Sequence, residues 1–134
     1  MVIVEGARAL LDRMAQRVAK HYLRRCRRAP EELHKLRKEL KKLSFSAGYL
    51  ASFYPPKPVK RFQELSRHLL VLLGKLNDAA MATGLAKGLC ADGRSELAPA
   101  VAALARWGDR RRDKALSTLP KAWAKFAAAS PFWR

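Results

Sequence analysis

The side chains of this chain best suited to chemistry are cations at helical spacing. Arg13, Arg17, Lys20, Arg24 and Arg28 follow one another at steps of three and four. At ~100° per residue, such a series keeps to one stripe of a helix. His34, Arg37, Lys38 and Lys41 repeat the pattern at i, i+3, i+4 and i+7. Both stripes are nearly free of acids. Like charges four residues apart destabilise a helix, so a solvated face ordinarily intersperses Glu or Asp. An anion lying along the stripes would offset that cost. Arg forks onto phosphate oxygens and Lys supplies a mobile point charge, a mixture suited to a ligand without fixed register. The bland alternative is a solvated basic face.

Further along, Lys60, Arg67, His68 and Lys75 form a third set, and Arg106, Arg110, Arg111 and Lys114 a fourth. Glu64 stands in the former and Asp113 in the latter, so local ion pairing is an equally good account of them. Lys60, Arg67 and Lys75 are retained as candidate ligand contacts. Catalytic patterns are missing. His21, His34 and His68 are too widely spaced to indicate a metal site. There is no Gly-rich phosphate loop and no nucleophile paired with a base. Asn77-Asp78 places an acid among bases, and Asp78 is expected to orient a basic side chain from a neighbouring helix. The expectation is a binding protein with no catalytic residue, no metal and no cofactor.

Composition agrees with an anionic partner. The chain has 134 residues, with 28 Lys plus Arg against 11 Asp plus Glu, a formal charge of +17. So much like charge on one small domain is self-repelling, and a polyanion relieves it. A hydrophobic content of 49% is enough to bury a core, which sets the chain apart from a disordered basic tail. Nucleic acid, an anionic membrane surface, acidic proteins and polyphosphate all remain candidates on charge alone. Cys26 and Cys90 have no metal-ligand spacing and read as small core residues in a reducing compartment. No signal-peptide pattern opens the chain, and no apolar run approaches the ~20 residues of a membrane span.

The elements that must position these cations are helices throughout. One helix is expected from about Ile3 to Arg28, with Ala7, Leu11, Met14, Val18 and Tyr22 inward. Pro30-Glu31-Glu32 begins a second, with Pro in the first turn and acids at the positive end of the dipole. Its inner face is Leu33, Leu36, Leu40, Leu43, Ala47 and Leu50. The prolines at 55, 56 and 58 end it. A third runs from near Pro58 to about Leu89, with Phe62, Leu65, Leu69, Leu72, Leu76 and Ala80 inward. Ser95 is a candidate N-cap for a fourth, with Leu97, Val101, Leu104 and Gly108 inward. Pro120 is expected to stop it, leaving a short helix from Lys121 to Ala129. The whole reads as one all-α domain over residues 1–134: an antiparallel four-helix bundle with a short extra C-terminal helix. If the first two helices are antiparallel neighbours, their stripes converge on one linear groove.

His34-Lys35-Leu36-Arg37-Lys38-Glu39-Leu40-Lys41 resembles the His-x-x-Arg-x-x-x-Lys signature of CHAD (conserved histidine α-helical) domains. Leu73-Gly74-Lys75-Leu76-Asn77-Asp78 is similar to the Leu-Gly-x-Leu-Asn-Asp segment of the next helix in that family. Leu119-Pro120-Lys121-Ala122-Trp123 and Pro131-Phe132-Trp133 look like its closing segments, so the resemblance spans roughly Pro30 to Trp133. It implies a helical bundle that binds inorganic polyphosphate through basic surfaces, without catalysis, and it places His34, Arg37 and Lys41 on the phosphate-binding face. Ser44 and Phe45 stand where the family commonly has Arg and then Tyr, so one phosphate contact is missing. The family's full domain is about twice this length, with two related lobes, and this chain resembles the C-terminal one. That makes it a fragment, a single-lobe variant or half of a homodimer.

Phe45 and Tyr49 fall ~140–180° from the Leu36 stripe and cannot join the same core. They mark either two ordinary exposed aromatics or a surface for a second lobe or second copy. Nucleic acid remains the competing polyanion. Base-stacking groups are expected among its contacts, and the two strongest stripes read as lacking them. An adaptor for acidic protein or anionic lipid is a third possibility. The expected location is cytoplasmic, in association with polyphosphate granules.

Overall fold

A computed structural model describes residues 2–24, 30–93, 95–129 and 131–134, with side chains from residue 5 onward. Among the described residues the chain is all-helical, with four α-helices and no strand: α1 Val2–Arg24, α2 Pro30–Leu50, α3 Pro56–Ala91 and α4 Ala98–Ala128. α1 packs on α2, α2 on α3, and α3 most extensively on α4. α3 and α4 run in opposite directions: Phe62 meets Phe126 near one end, and Asp78 meets Arg111 further along.

The apolar stripes account for these contacts. Ala7, Leu11, Val18 and Tyr22 of α1 are buried, as are Leu36, Leu40, Leu43 and Ala47 of α2. α3 buries Phe62, Leu65, Leu69, Leu72, Leu73 and Leu76. Removing one such Leu from a close-packed core costs about 2–5 kcal/mol. Between α2 and α3, Ala51–Phe53 forms one 3-10 turn, closed by the Tyr54 N–H on the Ala51 carbonyl at 3.1 Å. Pro55 and Pro56 then start α3, where a missing N–H is harmless.

Several boundaries differ from the sequence expectation. α3 runs on to Ala91 through Gly84 and Gly88, because Ala82 and Ala86 remain buried along it. It ends where Gly93 takes φ +69°, a left-handed conformation that glycine adopts without steric cost. Ser95 opens a 3-10 turn over Ser95–Leu97 and makes no cap. α4 is continuous through Pro120, so the separate terminal helix from Lys121 to Ala129 does not exist. Proline removes one helical hydrogen bond and crowds the preceding turn, yet packing on both sides carries the helix across it. Leu119 and Ala122 are buried, and Trp123 stacks on Tyr22 with ring centroids 4.0 Å apart.

The start of α4 is less buried than its pattern suggested: Leu97, Val101 and Leu104 are intermediate, and only Gly108 is enclosed. Cys90 is exposed, not a core residue; Cys26 lies outside the described residues, as does Arg28. By length and composition alone α3 could cross a bilayer. Phe62, Leu65, Leu69, Leu72, Leu73 and Leu76 of this helix are packed into the core here, while Val71, Met81 and Leu85 are exposed.

The closing residues complete the core. Phe132 and Trp133 pack edge-on against Phe62, and the Trp133 indole N–H donates to Asp12 Oδ1 at 2.9 Å. Arg134 reaches the same oxygen at 3.3 Å. The tail is thereby pinned to α1.

Candidate functional site

α2 sorts its cations into two groups. Lys35 and Lys42 pair with Glu32 and Glu39 one turn earlier, at 3.7 and 3.5 Å. His34, Arg37, Lys38 and Lys41 have no ion-pair partner among the described residues, although acids occur on the same helix. The division follows from helical phase, since Glu32 and Glu39 share a flank with Lys35 and Lys42, roughly 100–180° from Lys41. His34, Lys38 and Lys41 are exposed, while Arg37 is half-buried with its Nε enclosed and lacking an acceptor.

Two clefts lie along the side of α2 that faces α3. Near the start of α2, His34 lines a cleft of about 480 Å³ together with Asn77 and Lys87 of α3 and Arg112 of α4. Thus His34 and Asn77, from the two most specific sequence segments, come to one place although 43 positions separate them. Glu31 also lines this cleft. Further along α2, Lys41 shares a second concavity with Ser44, Phe45, Gly48, Tyr49 and Leu70. His34 to Tyr49 spans about 22 Å of helix at 1.5 Å per residue.

The second concavity corrects the reading that aromatics are missing beside the strongest stripes. Phe45 and Tyr49 are 70% and 85% exposed. Their exclusion from the core follows the helical-wheel expectation, but that same phase places them in line with Lys38 and Lys41. Ser44, standing where a family Arg is common, lines the same hollow.

On α1, Arg13, Arg17, Lys20 and Arg24 are all exposed and without ion-pair partners among the described residues. They project roughly opposite the Leu11 stripe. Neither of the two clefts lined by α2 includes a residue of α1: His34 and Lys41 line them with residues of α3. On α3, Lys60 and Arg67 are exposed and flank a shallow hollow beside Tyr54 and Gln63. Glu64 lies there too but forms no ion pair with either. Lys75, turned roughly 60–80° from them around α3, lines a different cleft shared with α4.

Asp78 behaves as its sequence context suggested. Its Oδ2 accepts from Arg111 Nη2 of α4 at 3.4 Å. Asp113 pairs with Arg112 at 3.1 Å, and not with the basic set around Arg110. Among the described residues no group of three or more His, Cys, Asp or Glu comes together in metal-binding geometry.

The family model for the CHAD domain matches residues 2–87, well over half of the chain. The chain belongs to the CHAD domain family, which is associated with polyphosphate binding. The match includes α1, which the sequence resemblance had left out, and stops before α4 and the Phe132-Trp133 tail. No curated protein matches the chain, and neither does any solved structure.

Proposed function

We propose that this chain is a non-catalytic binding module for inorganic polyphosphate, carried on an antiparallel four-helix bundle. The observation that supports this most is the sorting of charge on α2. Acids neutralise Lys35 and Lys42 on one flank, while His34, Arg37, Lys38 and Lys41 stay unpaired on the other. Unpaired cations in a row repel one another, and a linear polyanion lying over them removes that repulsion. Phosphate oxygens can accept from several of these side chains at once. The exposed α1 stripe of Arg13, Arg17, Lys20 and Arg24, with Lys60 and Arg67, extends the basic surface available to a long chain.

A single-stranded nucleic acid is the second reading, favoured by Phe45 and Tyr49 beside Lys41, because bases stack on exposed aromatics. The same two rings would otherwise meet a second lobe or second copy of the chain. Titration of long-chain polyphosphate and a length-matched single strand at equal ionic strength separates the ligands. Polyphosphate should bind more tightly, and Arg37→Ala or Lys41→Ala should weaken it severalfold with helicity unchanged. Equal affinities, or an unaltered Kd in both variants, would remove the α2 track from this account.

A further inference from the structure

The densest basic concavity lies away from α2, between α3 and α4. Its cleft of about 610 Å³ is lined by His68 and Lys75 from α3 and by Arg106, Arg110, Arg111 and Lys114 from α4. The acids of α4 beside it are engaged elsewhere. Asp109 and Asp113 both pair with Arg112, at 3.3 and 3.1 Å, and Arg112 lines the α2–α3 cleft instead. Asp78 holds one nitrogen of Arg111. His68, Lys75, Arg106, Arg110 and Lys114 thus have no ion-pair partner among the described residues. Arg111 Nε is enclosed without an acceptor.

This cleft also differs from the α2 track in shape and lining. Leu72, Ala103 and Ala115 give it apolar surface, and the Trp107 ring forms part of its wall. Trp107 is 47% exposed. The Arg111 guanidinium sits 5.0 Å from its centroid, so the ring is held by a side chain that Asp78 itself fixes. A site of this size suits a small molecule, since such pockets run to roughly 300–1,000 Å³. A linear inorganic phosphate has no use for an aromatic wall. A planar base does, because base–aromatic stacking is favourable whatever the base.

We propose that the α3–α4 cleft is a separate site for a nucleoside polyphosphate, with the base against Trp107 and the phosphates among Arg106, Arg110 and Lys114. The site goes beyond polyphosphate binding by α2 and does not depend on it.

The test is calorimetric titration of the full chain with ATP, inorganic tripolyphosphate and a ten-nucleotide single strand, at matched ionic strength without divalent cations. ATP should bind about fivefold or more tightly than tripolyphosphate, the margin that one stacked base supplies. Trp107→Leu should erase that margin while leaving tripolyphosphate and long-chain polyphosphate affinities unchanged. The double variant Arg110→Ser/Lys114→Ser should weaken ATP and tripolyphosphate alike, with helicity by circular dichroism unchanged in every variant. Equal affinity for ATP and tripolyphosphate in the native chain overturns the proposal, as does a preference for ATP that survives Trp107→Leu. A strand that binds through Trp107 more tightly than ATP assigns the cleft to nucleic acid and overturns it as well. Failure of long-chain polyphosphate to bind would overturn the α2 reading and leave the ATP comparison standing.

Discussion

At the scale of single residues, Asp12 shows how one carboxylate on a basic helix can serve the fold. It lies on α1 between exposed cations, yet its oxygen accepts from the Trp133 indole and from Arg134. Its carboxyl is held below the ordinary value, chiefly by the Trp133 hydrogen bond, with burial opposing and Arg134 assisting. A depressed folded-state value means that ionised Asp12 stabilises the fold above the usual carboxylate range. That contribution is lost as pH falls through the folded-state value. Asp12→Ala leaves the indole N–H of Trp133, which is 1% exposed, without its acceptor. A cost of about 1–3 kcal/mol at neutral pH is expected. Urea denaturation of both proteins from neutral pH down through the carboxylate range should show the gap narrowing. A gap that stays constant would mean that ionised Asp12 contributes nothing.

Among the elements, the α3–α4 pair is the one whose spacing is set by a single glycine. A Cβ at Gly108 would lie 3.3 Å from the Ala79 carbonyl oxygen and 3.3 Å from the Ala82 Cβ. Gly108→Leu should therefore force α4 outward and destabilise by about 1–3 kcal/mol, as overpacking does. Gly74 of α3 has nothing within 4 Å of the corresponding position. There Gly74→Ala should stabilise by about 0.5–1 kcal/mol through lower unfolded-state entropy and better helix propensity. Thermal unfolding of the two variants should move in opposite directions. Two equal downward shifts would contradict the close approach at Gly108. The helix pair also decides where Lys75 points. Helical phase alone places it off the core stripe, and only the position of α4 turns that location into the wall of a cleft.

For the whole molecule, the consequence of +17 net charge is a fold that works against its own electrostatic repulsion. Any ligand that binds the native state and not the unfolded chain raises the melting temperature with concentration. Long-chain polyphosphate should therefore raise Tm progressively, and the effect should shrink as NaCl approaches ~1 M, where the screening length is only ~3 Å. NaCl alone should raise Tm slightly by screening self-repulsion. A polyphosphate-induced rise insensitive to salt would count against an electrostatic grip.

Much of this protein was already legible in one dimension. Apolar residues at three- and four-residue steps determine four helices, the buried faces of α1 and α2 and the first half of that of α3, because helical phase is a local property of the chain. The same counting excludes Phe45 and Tyr49 from the core, and the His34–Lys41 and Leu73–Asp78 segments indicate the family. What the sequence could not determine depends on contacts between distant residues. Pro120 reads as a stop because its local cost is visible, while the Trp123–Tyr22 stack that holds α4 through it is not. The α1 and α2 stripes read as two walls of one groove, and only the packing of the core reveals that His34 and Lys41 line clefts with α3. Periodicity says which way a side chain leaves its own helix; which helix stands opposite is settled only by the packing of the core.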